Sequence, residues 1–397
     1  MNNNIFLQFS EMMLNILLNL SQVLLISGLV FVQNLFQIIA FVEKLQVDFD
    51  WISNVIFCRI IDNYQIQYLI MHSQIFVFPL GLLLAIILCY FFAKFFITEI
   101  YFSFFKKRLN FRDGLVILLT GGSNGIGLEL SYILANNHGK DITLLILDVQ
   151  ENTEQINILK SKCSKAEFIS CDLSQQKQIE QAFQGIIEKY NCVDILINNA
   201  AVALIEYFDA MTIQSFFKAQ QINLLSYMKL THLFLNQKNF ENKKEKSILF
   251  MGSVAGFQVG LKTSEYASSK YGLVMFNETL RSELKMQEKY KQVKLTIINP
   301  YQVDTELFKG FKTFFKQLFP TLSVKKVAET VYSSLIQRRN IVFINWHYEV
   351  FIFFVSNLPA WLKDLAGLIT LKDTLNTLVG KKQKFPQQKL EKPLQIK

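Results

Sequence analysis

Residues 115–127, LVILLTGGSNGIG, restrict the fold more than any other part of the chain. Apolar β-formers, Leu115 to Leu119, run into Thr120 and then into three spaced glycines, Gly121, Gly125 and Gly127. A strand that ends in a glycine-rich turn and opens into a helix lets backbone come close to a phosphate, and the helix N-terminus adds free N–H groups and partial positive charge. Ile126, Leu130, Ile133 and Leu134 then give the expected helix one apolar face.

A second apolar strand, ITLLIL, ends on Asp148. That carboxylate stands about 20 residues beyond the last glycine, where an acid accepts hydrogen bonds from an adenosine ribose. No Lys or Arg lies in the turn or directly after Asp148. A 2′-phosphate would meet negative charge there, so NAD is favoured over NADP. Tyr266 and Lys270 sit four apart in YASSK, which places both on one face of a helix. An ammonium beside a phenol stabilises phenolate and is expected to lower the Tyr266 pKa from about 10 towards neutrality. Such a phenol can exchange a proton with an alcohol or carbonyl oxygen.

With these residues in hand, the sequence resembles the short-chain dehydrogenases/reductases. Thr120, Gly121, Ser123, Asn124, Gly125, Ile126 and Gly127 match the family's T-G-x-x-x-G-I-G turn. The resemblance implies a Ser–Tyr–Lys site of Ser253, Tyr266 and Lys270. Ser253 follows the strand SILFM and precedes Tyr266 by 13 residues. Ser253 would polarise the substrate oxygen, Lys270 would also bond the nicotinamide ribose, and Asn223 would support a water relay to Lys270. Asp172 matches the family's adenine contact. Asn199 and Ala200 match N-N-A-G, with Ala201 in place of the last glycine. Pro300, Val303 and Thr305 match P-G-x-V-x-T, with Tyr301 in place of the glycine. These residues, with Asp148, form the expected cofactor set.

Strand patterns at 115–119, 142–147, 167–171, 193–197, 247–251, 294–298 and 341–344 alternate with helical stretches. The expected fold is α/β, a doubly wound parallel seven-stranded Rossmann sheet preceded by an N-terminal helical membrane anchor. The domain reading is anchor 1–110, NAD-binding domain 111–345, and a last segment 346–397. Residues 12–42 carry no charge, and residues 75–93 are 19 uncharged residues, a length that approaches an apolar bilayer core of about 30 Å. Spans are expected at about 16–42 and 75–93. The first run has the alternative of an amphipathic, re-entrant or targeting helix. The segment between them is acidic on balance, and Lys94, Lys106, Lys107, Arg108 and Arg112 follow the second. That asymmetry puts the catalytic domain on the cytosolic side. Residues 348–371 are apolar but interrupted, and read either as a membrane-contact segment or as a hydrophobic cap on a substrate pocket.

Five scattered cysteines and four histidines show neither a disulfide framework nor a metal site. The formal charge of +9 lies largely in residues 381–397, which hold six lysines and one glutamate. That tail is either a lipid-headgroup contact or a solvated end, and no nucleic-acid partner is expected. The anchor, Asp148, Tyr301 and the apolar C-terminal segment resemble the group with 17-beta-hydroxysteroid dehydrogenase type 11 and the epidermal retinol dehydrogenases. The resemblance implies NAD-linked oxidation or reduction of a retinoid, steroid or related lipid at the endoplasmic reticulum or lipid droplet, with homodimers common. Two alternatives stand beside it: an NADPH-dependent 3-ketosphinganine reductase, and a non-catalytic lipid-droplet or membrane-surface binding protein.

Overall fold

In the computed structural model, residues 89–90, 109–111, 114–240, 245–258, 260–308 and 320–364 are described. The expected spans and the basic tail lie outside the described residues, apart from 89–90. Among the described residues no helix is long and apolar enough to cross a membrane. Among the described residues every strand lies in the unit Phe91–Lys397.

The strands are β1 (Leu115–Thr120), β2 (Ile142–Asp148), β3 (Lys165–Ser170), β4 (Ile195–Asn198), β5 (Ser247–Met251), β6 (Lys294–Asn299) and β7 (Ile341–Phe343). They pair in parallel in the order β3-β2-β1-β4-β5-β6-β7. The order reverses between β1 and β4, and the crevice beyond the carboxyl ends of these strands is where α/β sheets bind ligands.

Continuous apolar strands follow from burial on both faces. Val116 and Leu118 point into one core, while Leu115, Ile117 and Leu119 point into the other. The first core is closed by α3 (Gln176–Tyr190), α5 (Ser226–Leu235) and α6 (Ser264–Met286), through residues such as Phe183, Phe234 and Leu273. The second is closed by α1 (Gly125–His138), α2 (Thr153–Lys162) and α7 (Val324–Gln337), through Leu134, Leu159 and Val331. Helix α4 (Ile213–Gln220) leads into α5 through a π-helical turn, Gln221–Leu225. Helix α8 (Trp346–Ser356) follows β7, with Tyr348 and Ile352 buried.

At the amino end of the sheet, away from the glycine turn, Asp194 is fully buried. Its carboxylate accepts hydrogen bonds from the Val116 amide at 2.9 Å and from the Lys246 ammonium at 2.8 Å. Lys246 is itself buried.

Candidate active site

The glycine turn is held open from below by β4. Thr120 Oγ1 accepts the backbone N–H groups of Asn199 at 2.9 Å and Ala200 at 3.1 Å. Asn199 Nδ2 donates back to the carbonyls of Thr120 at 3.0 Å and Gly121 at 3.1 Å. Thr120 and Asn199 therefore shape the cradle. Gly121 has φ +68°, and a Cβ there would lie 2.8 Å from the Ala200 Cα. A Cβ on Gly127 would lie 2.1 Å from the Gly121 carbonyl oxygen. Only glycine fits either position.

The cradle suits a dinucleotide. Helix α1 begins at Gly125 and its N-cap Asn124 makes no side-chain cap, so the first-turn amides keep donor capacity for an anion. Ser123 Oγ is buried with no hydrogen-bond partner, a donor waiting for an acceptor. Asp148, at the carboxyl end of β2, accepts from the Ser123 amide at 3.1 Å and the Val149 amide at 2.8 Å. It thus fixes the turn and keeps acceptor capacity for ribose hydroxyls. Asp172 closes an Asx turn after β3, accepting the Ser174 amide at 2.9 Å.

Ser253, Tyr266 and Lys270 come together beyond β5. Ser253 leaves the strand in an extended conformation, and its Oγ accepts the Ala255 amide at 3.1 Å. The neighbouring Ser253 hydroxyl favours the ionised form of the Tyr266 phenol. Tyr266 and Lys270 stand one turn apart on α6, with Lys270 Nζ 5.5 Å from the Tyr266 ring centroid. Lys270 donates to the Met251 carbonyl at 2.7 Å and lies 5.3 Å over the Tyr227 ring. Val254 N donates to the Pro300 carbonyl at 3.0 Å, so the serine turn is tied to the segment of Val303 and Thr305.

The expected depression of the Tyr266 pKa is corrected by the structure. Burial raises it to about 12, a rise that the neighbouring Ser253 hydroxyl opposes and the neighbouring Glu265 adds to. Burial also takes Lys270 down to about 7. The sequence shows the pairing of the two groups but not their desolvation, and desolvation wins here. Lys270 is a base whose pKa is lower in the folded than in the unfolded chain. Between about pH 7 and its ordinary pKa of 10.5, the unfolded chain holds the extra proton, so this site makes stability rise with pH. Lys270→Met is therefore expected to gain at least about 2 kcal/mol at pH 6, a gain that fades as pH approaches 10. Urea unfolding at several pH values measures it.

Asn223 lies in the π-helical turn and is fully buried. Its amide clasps Val202, with the Val202 amide and carbonyl both at 2.8 Å. The two departures from the family pattern, Ala201 and Tyr301, have ordinary negative φ, so neither position needs glycine's freedom.

Two residues of this site are silent in the sequence. Tyr227 packs beneath Lys270 and its hydroxyl donates to the Ala200 carbonyl at 3.0 Å, joining cradle and catalytic helix. Glu265 reads as an ordinary first-turn helix acid, yet it is buried and accepts the Leu204 amide at 2.8 Å. Its ionisation is pushed up by that burial.

A model of the family "short chain dehydrogenase" matches residues 115–314. The chain is 27% identical over 254 residues to short-chain dehydrogenase/reductase family 16C member 6 of Bos taurus, covering 62% of this chain and 78% of that one. It is 26% identical over 269 residues to short-chain dehydrogenase/reductase 3 of Homo sapiens, covering 67% and 86%. It is 27% identical over 203 residues to the 15-hydroxyprostaglandin dehydrogenase [NAD(+)] of Mus musculus, covering 50% and 71%. The fold is shared with a 3-oxoacyl-[acyl-carrier protein] reductase from Brucella melitensis in complex with NAD, at 21% identity and a TM-score of 0.51, over 60% of this chain and 98% of that one. The family model covers half of the chain, which belongs to the short-chain dehydrogenase family, as an NAD(P)-dependent dehydrogenase/reductase.

Proposed function

We propose that this enzyme interconverts a lipophilic alcohol and ketone or aldehyde, a retinoid, steroid or related lipid, using NAD(H) at a membrane surface. The observation that carries the chemistry is the convergence of Ser253, Tyr266 and Lys270 at the end of the sheet that bears the glycine cradle. Bound in the cradle, the nicotinamide supplies the hydride acceptor or donor. Ser253 orients the substrate oxygen. In reduction Tyr266, neutral at physiological pH, donates its phenolic proton to that oxygen; in oxidation it first yields that proton to neutral Lys270, and the phenolate then accepts the proton of the alcohol. Lys270, with a pKa of about 7, is poised to restore the proton to the buried phenol. Asn223 supports the water relay to that lysine.

Asp148 supports NAD over NADP, because it offers acceptors to a ribose diol and repels a phosphate. The apolar runs at 16–42 and 75–93, and the basic residues after them, support a hairpin anchor with the catalytic domain facing the cytosol. The similarity to a 15-hydroxyprostaglandin dehydrogenase supports a lipid-like alcohol as substrate class.

Turnover of the membrane fraction with NAD and NADP, across retinol, a hydroxysteroid, a prostaglandin and 3-ketosphinganine, tests this reading. NAD-linked oxidation is expected. Asp148→Ser is expected to lower kcat/KM for NAD by about tenfold or more, the worth of one charge-assisted hydrogen bond, while narrowing the margin over NADP. Turnover with NADPH alone would overturn the cofactor assignment and favour the reductase.

A further inference from the structure

We propose that Tyr348, stacked on Tyr301, determines substrate selection: it clamps the chain segments that border Tyr266 and thereby sets which alcohol substituents the site accepts. The inference rests on the function proposed above and names the residues that set its specificity.

Tyr301 takes the place of the family's glycine after Pro300, and its ring is used. It stacks on Tyr348 of α8 with centroids 4.8 Å apart and an interplanar angle of 20°. Tyr348 is fully buried, and its hydroxyl reaches the Pro320 carbonyl at 3.5 Å. One aromatic side chain therefore touches two segments, the one that leaves β6 at residue 301 and the one that enters α7 from residue 320. Those segments are laced together beside the stack. The Leu322 amide donates to the Gln302 carbonyl at 2.9 Å, and the Asp304 amide to the Leu322 carbonyl at 2.9 Å. The first segment continues to Phe308, whose ring meets the Tyr266 ring edge-on at 5.4 Å.

Helix α8 also reaches the opposite flank of the site. Ser356 Oγ donates to the Phe257 carbonyl at 3.3 Å, just past the turn that carries Ser253, and Phe257 packs on Phe343 at 5.1 Å. The helix thus borders both the serine turn and the Phe308 segment. Burial raises the pKa of both stacked phenols, to about 12 for Tyr301 and higher still for Tyr348, so the pair stays neutral and serves packing. The hydride and proton machinery sits on β5, α6 and the cradle. What the tyrosine pair positions is the apolar border, Leu307 and Phe308, that a substrate's hydrocarbon substituent meets.

Steady-state kinetics of the full chain with NAD on straight-chain alcohols of increasing length provide the test. Tyr348→Ala and Tyr301→Gly are expected to lower kcat/KM for the long alcohols by about tenfold or more, mostly through KM, with short alcohols and NADH binding changed less than about twofold. Tyr348→Phe and Tyr301→Phe, which keep the stack, are expected to retain the native length profile. Should Tyr348→Ala fail to accumulate, Tyr301→Gly carries the same test. An unchanged length profile, or a uniform fall on short and long alcohols with weakened NADH binding, would overturn the inference and leave the proposed function standing. No turnover of any alcohol by the unaltered chain would overturn both.

Discussion

Tyr266→Phe is expected to lower kcat by about 10²–10⁴-fold, the range for a positioned proton donor, while leaving NADH affinity unchanged. In the proposed mechanism the hydroxyl removed is the group that exchanges a proton with the substrate oxygen. The ring that remains still packs against Phe308 and beneath Lys270 Nζ. Loss of the hydroxyl alone is expected to change stability by about 1 kcal/mol or less. A folded, cofactor-binding and inactive protein is therefore the predicted state. Stopped-flow or steady-state NADH absorbance gives the rate, and NADH fluorescence gives the affinity. Activity within tenfold of the native chain would mean that another group moves the proton.

Asp194→Ala is expected to destabilise the domain by about 3–5 kcal/mol, with no direct effect on chemistry. The carboxylate has no exposed surface, and it neutralises a Lys246 side chain that is 4% exposed. Its removal takes a carboxylate away from the buried Lys246 ammonium and deprives the Val116 amide of its acceptor. The midpoint of thermal unfolding should fall by roughly 6–20 °C for a domain of this size. The double variant Asp194→Leu with Lys246→Met should recover much of the loss, because no unpaired charge then stays buried. Equilibrium urea unfolding of the three variants settles the matter. A loss below 1 kcal/mol for Asp194→Ala would show that water reaches the lysine.

The seven strands were legible in the sequence because both faces of a parallel sheet are covered. β1 and β2 show no exposed residue that would break their apolar runs. The glycines of the turn were legible for a different reason: Gly121 and Gly127 are demanded by backbone contacts under 3 Å. The trio of Ser253, Tyr266 and Lys270 was legible from strand context and spacing. Their protonation was not, because a pairing of residue types does not show how dry the pair is. The role of Lys246 was hidden by its polar surroundings in sequence, although the chain folds it against Asp194. Helix α8 defeated periodicity altogether: it is apolar on nearly every side, so the pattern named no buried face. Tyr301 showed only as a missing glycine, since its partner Tyr348 lies 47 residues later.

The central claim is that Ser253, Tyr266 and Lys270 direct hydride transfer between an alcohol carbon and a nicotinamide. The most direct measurement is to incubate the full chain with NAD and carbinol-deuterated alcohols, retinol and a hydroxysteroid among them, and to weigh the NADH formed by mass spectrometry. The predicted result is NADH carrying one deuterium from the native chain and none above background from Tyr266→Phe. Native protein that binds NAD yet transfers no deuterium from any of the alcohols, or a Tyr266→Phe chain that transfers it at the native rate, would contradict the account.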